Sequence, residues 1–232
     1  MIAEIHKLLA NPLTGPDIEA RSFALIDGEV PDRCGFPANQ WEIVRRMIHT
    51  TADISLAKEV RFSPDAITSG ISALACGAAI YTDSNMIRSG LSQARLRTVN
   101  PAYDPTRISC HVADDDVAVL AHTHGLPRSL FAIRKATHML DGGIIVFGNA
   151  PVALLELNRM ILEDGVRPAL VIGMPVGFVH VVESKQELAT LGVPYIGITG
   201  RRGGSTLAVA TLHALCSLAS QDALATKGGD IN

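Results

Sequence analysis

One histidine carries the clearest chemical signal in the sequence. His49 closes the run Val44-Arg45-Arg46-Met47-Ile48-His49, and the apolar spacing before it predicts that it lies near the end of a helix. An imidazole is the side chain best suited to move a proton near neutral pH. Alternatively, a cationic His49 would only stabilise its helix C-terminus through the dipole. Adjacent helix residues point in different directions, so we expect at least one of Arg45 and Arg46 to be only solvated or ion-paired.

Three glycine-rich joints follow apolar runs that are typical of buried strands. The joints are 148–151 (Gly-Asn-Ala-Pro), 173–177 (Gly-Met-Pro-Val-Gly) and 200–205 (Gly-Arg-Arg-Gly-Gly-Ser). The carboxyl ends of parallel strands meet at one edge of an open α/β sheet, where ligands bind. The sequence therefore predicts one shared pocket, with the alternative that these glycines only let the chain turn tightly.

The third joint has the features of an anion site. Gly203, Gly204 and Ser205 at a helix start would present free backbone N–H groups, and Arg201 and Arg202 add positive charge. Neither Gly-x-Gly-x-x-Gly after an early strand nor Gly-x-x-x-x-Gly-Lys-Ser/Thr occurs, so a nucleotide has no support. Carboxylates are the better candidates, because the planar fork of arginine suits them. The available donors are Arg45, Arg46, Arg128, Arg201 and Arg202.

A metal site is an alternative with weaker support. Cys110-His111, Asp114-Asp115-Asp116 and His122-Thr123-His124 contain the usual ligand types. However, two residues at i and i+2 diverge on a helix, and consecutive aspartates are typical of an exposed helix start. The four cysteines are scattered without a Cys-x-x-Cys pair, so they indicate neither a disulfide scaffold nor a structural zinc site. We expect no bound metal.

Composition favours a well-packed globular protein. Hydrophobic residues form 47% of the 232 residues, charged residues form 19%, and the formal net charge is -3, so nucleic acid and anionic membrane are not expected partners. The N-terminus has an acid where a secretory signal would be positive, and no apolar run approaches the roughly 20 residues of a membrane span. We expect a cytoplasmic protein with one domain over 1–232.

Alternating apolar runs and amphipathic stretches predict an α/β fold, a mostly parallel β-sheet flanked by helices on both faces. A capping box at Asn39 and Glu42 predicts a helix that runs to about His49. Ser63-Pro64 predicts a second helix start, with Gly77 as its stop. Further helices are predicted over 152–162 and after Ser205. The predicted strands are 78–82, 107–112, 143–147, 169–173 and 194–199.

Several segments along the chain together form a specific pattern through their order and spacing. These are Arg21-Ser22-Phe23, Val44 to His49, Phe62-Ser63-Pro64, Asp83 with Met86, Arg128-Ser129, Gly148 to Pro151, Gly173 to Val179, Glu183-Ser184-Lys185, and Gly200-Arg201 with Gly203-Gly204-Ser205. In this pattern, and over nearly its whole length, the chain resembles the precorrin-8X methylmutases, also called precorrin isomerases, of cobalamin biosynthesis.

The resemblance implies a reaction without an external cofactor. A methyl group moves from C11 to C12 of the corrin ring, which turns precorrin-8X or its cobalt form into hydrogenobyrinate or cobyrinate. It implies that His49 supplies a proton to a ring nitrogen, that Ser22 contacts the substrate, and that the protein is a homodimer with its active site near the subunit interface. Positioning and one proton suffice for such a shift.

The matched positions also define the predicted substrate-binding residues. They are Arg21, Ser22, Asp83, Met86, Arg128, Ser129, Asn149, Ala150, Pro151, Lys185, Arg201, Gly203, Gly204 and Ser205. The precorrin carries acetate and propionate side chains, so its pocket needs cationic and N–H donors beside an apolar floor.

The chain departs from the family at two places. It has Pro127-Arg128-Ser129-Leu130 where members commonly have Thr-Arg-Ser-Ala, and Val152 where they have threonine. These changes predict an altered substrate fit more than altered catalysis by His49. Two other functions are alternatives: a non-catalytic corrinoid-binding or carrier protein of the same fold, and a metal-dependent hydrolase that uses His122 and His124.

Overall fold

A central sheet organises the chain. The structure is a computed structural model that describes residues 3–228, and within that range six strands form one sheet in the order β1-β6-β5-β4-β2-β3. The strands are β1 (Val60–Phe62), β2 (Ile80–Thr82), β3 (Ile108–Ser109), β4 (Ile144–Phe147), β5 (Leu170–Gly173) and β6 (Tyr195–Ile198). All neighbours pair in parallel except β1, which runs antiparallel to β6. The predicted α/β fold with a mostly parallel sheet is confirmed.

Helices cover both faces of this sheet. Their bounds are α1 (Glu4–Ala10), α2 (Gly15–Glu29), α3 (Ala38–Thr51), α4 (Ala66–Ala75), α5 (Asn85–Gly90), α6 (Gln93–Val99), α7 (Asp115–His124), α8 (Arg128–Lys135), α9 (Pro151–Glu163), α10 (Val181–Leu188) and α11 (Ser205–Gly228). Strand residues alternate between the two faces. Ile144 and Val146 join a core that includes residues of α3, α4 and α11, whereas Ile145 and Phe147 join residues of α8, α9 and α10.

Helix α3 forms for the reason that the sequence indicated, but it begins differently. Trp41, Val44 and Ile48 form its buried stripe, and the helix passes His49 to end at Thr51. The predicted capping box is wrong. The helix starts after Pro37 without a side-chain cap, and the Asn39 side chain accepts a hydrogen bond from the neighbouring backbone N–H of Gln40.

The helix start at Ser63-Pro64 is also wrong by a few residues, because Ser63 continues the sheet. Its backbone N–H donates to the carbonyl oxygen of Tyr195 at 2.9 Å, and its Oγ accepts from the Tyr195 N–H at 2.8 Å. Helix α4 therefore begins only at Ala66. Its predicted stop is confirmed, since Gly77 follows the helix with a φ of +69° in the left-handed region.

The edge strands differ most from the prediction. The strand predicted over 107–112 is reduced to Ile108–Ser109, because β3 pairs only with β2 and β2 is itself short. At the opposite edge, β1 was not predicted, since three residues with Arg61 in the middle give too short an apolar pattern. The four central strands, β2, β4, β5 and β6, lie within the predicted segments.

Candidate functional site

The three glycine-rich joints contact one another at the carboxyl edge of the sheet. The N–H of Gly204 donates to the carbonyl oxygen of Met174 at 2.9 Å, and the N–H of Val176 donates to that of Gly148 at 3.3 Å. A third bond of 3.2 Å runs from the Gly177 N–H to the carbonyl of Arg201. The joints after β4, β5 and β6 therefore form one continuous backbone rim.

Two glycines are needed for this close approach. A Cβ on Gly148 would lie 2.7 Å from the Cα of Ser205, and a Cβ on Gly203 would lie 2.2 Å from the carbonyl oxygen of Met174. Gly203 also has a φ of +156°, which side-chain-bearing residues rarely adopt. The glycines thus serve packing between joints as well as turning.

Asp83, at the end of β2, holds the joint after β4. One carboxylate oxygen, Oδ2, accepts backbone N–H bonds from Gly148 at 3.1 Å, Asn149 at 2.7 Å and Ala150 at 2.6 Å. The side chain is only 2% exposed, and this burial raises the pKa of Asp83 although the three N–H groups act in the opposite direction. The carboxylate is turned to the protein backbone, whereas the sequence predicted a contact with substrate.

Lys185 on α10 holds the joint after β6 in a similar way. Its Nζ donates to the carbonyl oxygens of Gly200 at 3.0 Å and Arg202 at 2.6 Å. The side chain is buried, and this desolvation lowers the pKa of Lys185 to about 8. Like Asp83, Lys185 was predicted to bind substrate and binds backbone in the structure.

A cleft opens beside this rim, between α3, α5 and α11. Its volume is about 340 Å³, and it is lined by Arg46, Thr50, Met86, Gly90, Ser205, Thr206, Val209, Ala210 and His213. The first turn of α11 contributes Ser205 and Thr206, so the positive end of that helix faces the cleft. Ser205 also contacts the N-cap residue of α5, because its Oγ lies 3.1 Å from the Oγ of Ser84.

His49 lies beside the cleft rather than in its wall. Arg46 and Thr50, one turn before it and one residue after it on α3, both line the cleft. The half-buried imidazole packs edge-on against Phe23 of α2, with the ring centroids 5.4 Å apart. The imidazole of His49 forms no hydrogen bond with the part of the chain that the structure describes, so both ring nitrogens remain available to a ligand.

Phe23 and Glu19, both on α2, connect His49 with the cleft. The guanidinium of Arg46 lies 5.2 Å from the Phe23 ring centroid and donates to Glu19 Oε1 at 2.7 Å. Arg95 approaches the same oxygen at 3.8 Å. Ser22 is half-buried next to Phe23 on this helix, and Arg21 is exposed. The predicted residues of α2 therefore adjoin His49.

The other predicted arginines differ in what they bind. Arg45 forms ion pairs with Asp27 and Glu42, and Arg202 forms one with Asp53 at 3.1 Å. Arg201 lies over the exposed ring of Phe178, 5.2 Å from its centroid. Neither Arg201 nor Arg128 forms an ion pair with residues 3–221, whose side chains the structure describes, so these two guanidinium groups remain available to an anionic ligand.

Arg128 and Ser129 begin α8, which precedes the parallel strand β4 and thus starts at the carboxyl edge. Asn149 is exposed, while Ala150 is buried and Pro151 begins α9 at the same edge. The two departures from the family pattern meet here. Leu130 belongs to a small apolar cluster, and Val152 packs against that cluster. The larger side chain of Leu130 and the loss of a hydroxyl at Val152 therefore change the packing of one apolar cluster, and neither residue lines the cleft.

The sequence did not identify several residues of the site, among them Glu19, Thr50, Thr206 and His213. A signal for His213 was present, since Ser205, Val209 and His213 recur every four residues and so share one helix face. All three line the cleft. Glu19 had no comparable signal, because its partner Arg46 is distant in sequence.

The structure does not support the metal alternative. His122 and His124 are exposed on α7, and His111 Nδ1 lies 2.9 Å from Asp114 Oδ2. Asp114 to Asp116 form the start of α7, as expected for consecutive aspartates. No three His, Cys, Asp or Glu side chains of the described residues are grouped so that they could hold a metal ion. Nor is any helix in that range long and apolar enough to cross a membrane.

Fold and site together define an α/β protein whose cleft, arginines and helix N-terminus suit a carboxylate-bearing ligand at the carboxyl edge. Residues 17–218 match the family model of precorrin-8X methylmutase. The chain belongs to this family, and it is an isomerase of cobalamin biosynthesis.

Individual relatives agree with this assignment. The chain is 42% identical over 215 residues to a cobalt-precorrin-8 methylmutase of Leptospira interrogans, covering 89% of this chain and 95% of the relative. It is 40% identical over 205 residues to a precorrin-8X methylmutase of Pseudomonas aeruginosa, covering 88% and 95%. The solved precorrin-8X methyl mutase of Thermus thermophilus superposes with a TM-score of 0.80 at 42% identity, covering 90% of this chain and 98% of that chain.

Proposed function

We propose that this isomerase moves the methyl group of precorrin-8X or cobalt-precorrin-8 from C11 to C12, with His49 as the proton donor. The observation that carries the proposal is the placement of His49: half-buried, beside the cleft, and without a hydrogen-bond partner in the described chain. Partial burial shields a proton transfer from bulk water, and a free ring nitrogen can approach a nitrogen of the macrocycle. A general acid placed in this way contributes about 10²- to 10⁴-fold to a rate.

The carboxylates of the substrate have complementary groups around the cleft. Cationic or N–H donors are offered by Arg46, by the first turn of α11 with Ser205, and by Arg128 and Arg201, which form no ion pair with residues 3–221. Met86 is 67% exposed and lines the cleft, which provides an apolar contact for the ring. We propose that the predicted binding residues act in two groups. One contacts substrate, comprising Arg21, Ser22, Met86, Arg128, Ser129, Asn149, Ala150, Pro151, Arg201, Gly203, Gly204 and Ser205.

The other group, Asp83 and Lys185, acts through the joints. Each buried side chain satisfies backbone groups of a joint, so each fixes where that joint presents its N–H groups. Preorganised donors bind an anion without the cost of ordering them at the moment of binding. We therefore propose that Asp83 and Lys185 are positioning residues.

The reaction is tested by single-turnover conversion of a substrate labelled with ¹³C in the C11 methyl group. Precorrin-8X and cobalt-precorrin-8 are incubated separately with the purified protein, without added cofactor. The expected result for at least one of them is the orange corrin product, with the labelled methyl resonance moved to the position of a C12 methyl group. An unchanged spectrum after prolonged incubation with stoichiometric protein would instead support a corrinoid-binding protein.

We also propose that the protein is a homodimer, as expected from the family resemblance. Helices α1 and α2 contain no buried residue, and they expose several large apolar side chains. These are Ile5, Leu8, Leu9, Ile18 and Leu25, with Leu13 between the helices. Large exposed apolar patches commonly mark protein–protein interfaces. Light scattering should give twice the chain mass of 24.6 kDa. Leu9→Glu combined with Leu25→Glu should give the monomer mass, and a wild-type monomer would contradict the proposal.

A further inference from the structure

His213 is the least expected side chain in the cleft. It lies on α11, two helical turns after Ser205, and its Nε2 accepts a 3.0 Å hydrogen bond from the backbone N–H of Ser92. A backbone N–H can only donate, so Nε2 must be the ring nitrogen without a proton. A neutral His213 therefore carries its proton on Nδ1.

The surroundings of His213 keep the ring neutral. Burial lowers its pKa most, and the guanidinium groups of Arg95 on α6 and Arg46 on α3 lower it further, whereas Glu19 on α2 acts in the opposite direction. The resulting pKa is about 4. Near neutral pH, His213 is thus a fixed tautomer with one N–H donor rather than a proton-transfer group.

The Nδ1 atom is available to a ligand. It has no hydrogen-bond partner among residues 3–221, whose side chains the structure describes, and it is not one of the buried side-chain atoms that lack a partner, so it retains contact with solvent. Because His213 lines the cleft, a ligand in the cleft would lie beside this ring. The same cleft holds Arg46 and the N-terminal turn of α11, both of which favour negative charge.

A carboxylate is the ligand group that these donors fit. Two nearby guanidinium groups disfavour a cation, and a neutral acceptor would make little use of Arg46 or the helix terminus. Arg46 keeps its bond to Glu19 through Nη1, which leaves further N–H donors on the same planar group. An arginine and a fixed imidazole N–H can together bind the two oxygens of one carboxylate.

We propose that His213, through Nδ1–H, and Arg46 form a subsite for one side-chain carboxylate of the substrate. The inference rests on the proposed function, since the macrocycle supplies the carboxylate. It assigns His213 a role in binding, separate from the proton transfer proposed for His49.

Two substitutions of His213 separate binding from folding. The amide nitrogen of asparagine can occupy the place of Nδ1, so His213→Asn retains the donor in the cleft and loses the bond to Ser92. The amide oxygen of glutamine can reach the place of Nε2, so His213→Gln retains the bond to Ser92 and loses the donor. His122→Gln, at an exposed position on α7, is the matched control.

The readouts are the Kd for hydrogenobyrinate, from absorbance titration at pH 7.5, and the Tm of each free protein. His213→Gln should weaken binding about tenfold or more, as expected for loss of a hydrogen bond to a charged group. His213→Asn should weaken binding less than His213→Gln although it lowers the Tm more. His122→Gln should match the wild type in both.

If binding instead follows the Tm, so that His213→Asn binds more weakly than His213→Gln, the subsite is refuted and His213 has only a structural role. Equal binding by all variants would refute it as well. These results leave the proposed function intact when the wild type still converts its substrate. A wild type that neither binds hydrogenobyrinate nor converts substrate would refute the proposed function, and the subsite with it.

Discussion

The carboxyl-edge joints and the His49 side chain on α3 differ in whether their polar groups have hydrogen-bond partners. In the joints, buried Asp83 and Lys185 bind backbone groups, and the joints also bind one another. In the α2–α3 pair, the half-buried imidazole of His49 contacts the Phe23 ring and forms no side-chain hydrogen bond within the described residues, although Arg46, one turn before it, is ion-paired with Glu19. Polar contacts thus fix the joints that shape the site, whereas the imidazole of the proposed proton donor has no polar partner among the described residues.

This difference follows from what each region has to do. A binding surface gains from donors that are already in place, and unpaired buried polar groups would be costly there. A proton donor, in contrast, must exchange its hydrogen bond with a substrate atom. We therefore expect substitutions in the joints to lower stability and binding together, and substitutions of His49 to affect turnover with little change in stability.

The largest effect on stability is expected from Asp83→Ala. It leaves the N–H groups of Gly148, Asn149 and Ala150 without their acceptor, so the free energy of unfolding should fall by about 4 kcal/mol. Urea denaturation measures this change. For His49→Ala, the free energy of unfolding should stay within about 1 kcal/mol of the wild-type value. Equal losses of stability in the two variants would contradict the proposed difference between the joints and His49.

The next effect concerns pH and His213. Its pKa is about 4 in the folded protein against an ordinary 6.5, so between these values the unfolded chain binds a proton that the folded protein does not. Above pH 6.5 the ring is neutral in both states and has no effect on the free energy of unfolding. As the pH falls from 6.5 towards 4, protonation of the unfolded chain lowers the free energy of unfolding by up to about 3 kcal/mol. Urea denaturation at pH 7 and pH 4.5 should show a smaller decrease for His213→Gln than for the wild type. Parallel decreases would contradict the half-buried, neutral state of the ring.

A smaller effect is expected from Lys185→Met, which keeps the unbranched chain as far as Cε and removes the ammonium donors. The carbonyl groups of Gly200 and Arg202 lose their partner, so the free energy of unfolding should fall by about 2 kcal/mol. Hydrogenobyrinate binding should weaken in the same variant, because the joint after β6 is no longer held. Exposed Lys58 offers a control, and Lys58→Met should change stability by at most about 0.5 kcal/mol. Weaker binding without a loss of stability would indicate that Lys185 touches substrate directly.

The smallest effect on stability is expected from Phe23→Leu in the α2–α3 pair. Loss of the edge-on contact with His49 should cost about 1 kcal/mol. Turnover should fall severalfold because the imidazole is less well oriented, while the Kd for hydrogenobyrinate stays close to the wild-type value. A Phe23→Leu protein that binds hydrogenobyrinate more weakly but keeps its turnover rate would show instead that Phe23 binds the ligand and does not orient His49.

Local sequence patterns were sufficient for the central fold. The runs Ile144 to Phe147 and Leu170 to Gly173 are apolar on both faces, and this pattern is typical of strands inside a parallel sheet. Edge strand β1 and the first turn of α3 were beyond such patterns. They depend on pairing with β6 and on Pro37, and neither gives a distinctive periodic signal.

For the site, the sequence was sufficient to predict the location but not the partners of individual side chains. The joints meet at one edge because parallel strands place their carboxyl ends together. The partners of individual side chains were not predictable, since Asp83 binds an amide 66 positions away and Arg46 binds Glu19 from another helix. Such choices are decided by tertiary packing, which a single sequence shows only indirectly.

The central claim is that His49 donates a proton to the bound macrocycle, and single-turnover conversion by His49→Ala tests it most directly. The rate of methyl transfer is measured with saturating protein, and the Kd for hydrogenobyrinate is measured in parallel. We predict that the rate falls by at least about 100-fold, while the Kd stays within about threefold of the wild type. A His49→Ala protein that converts substrate at the full rate would contradict the account.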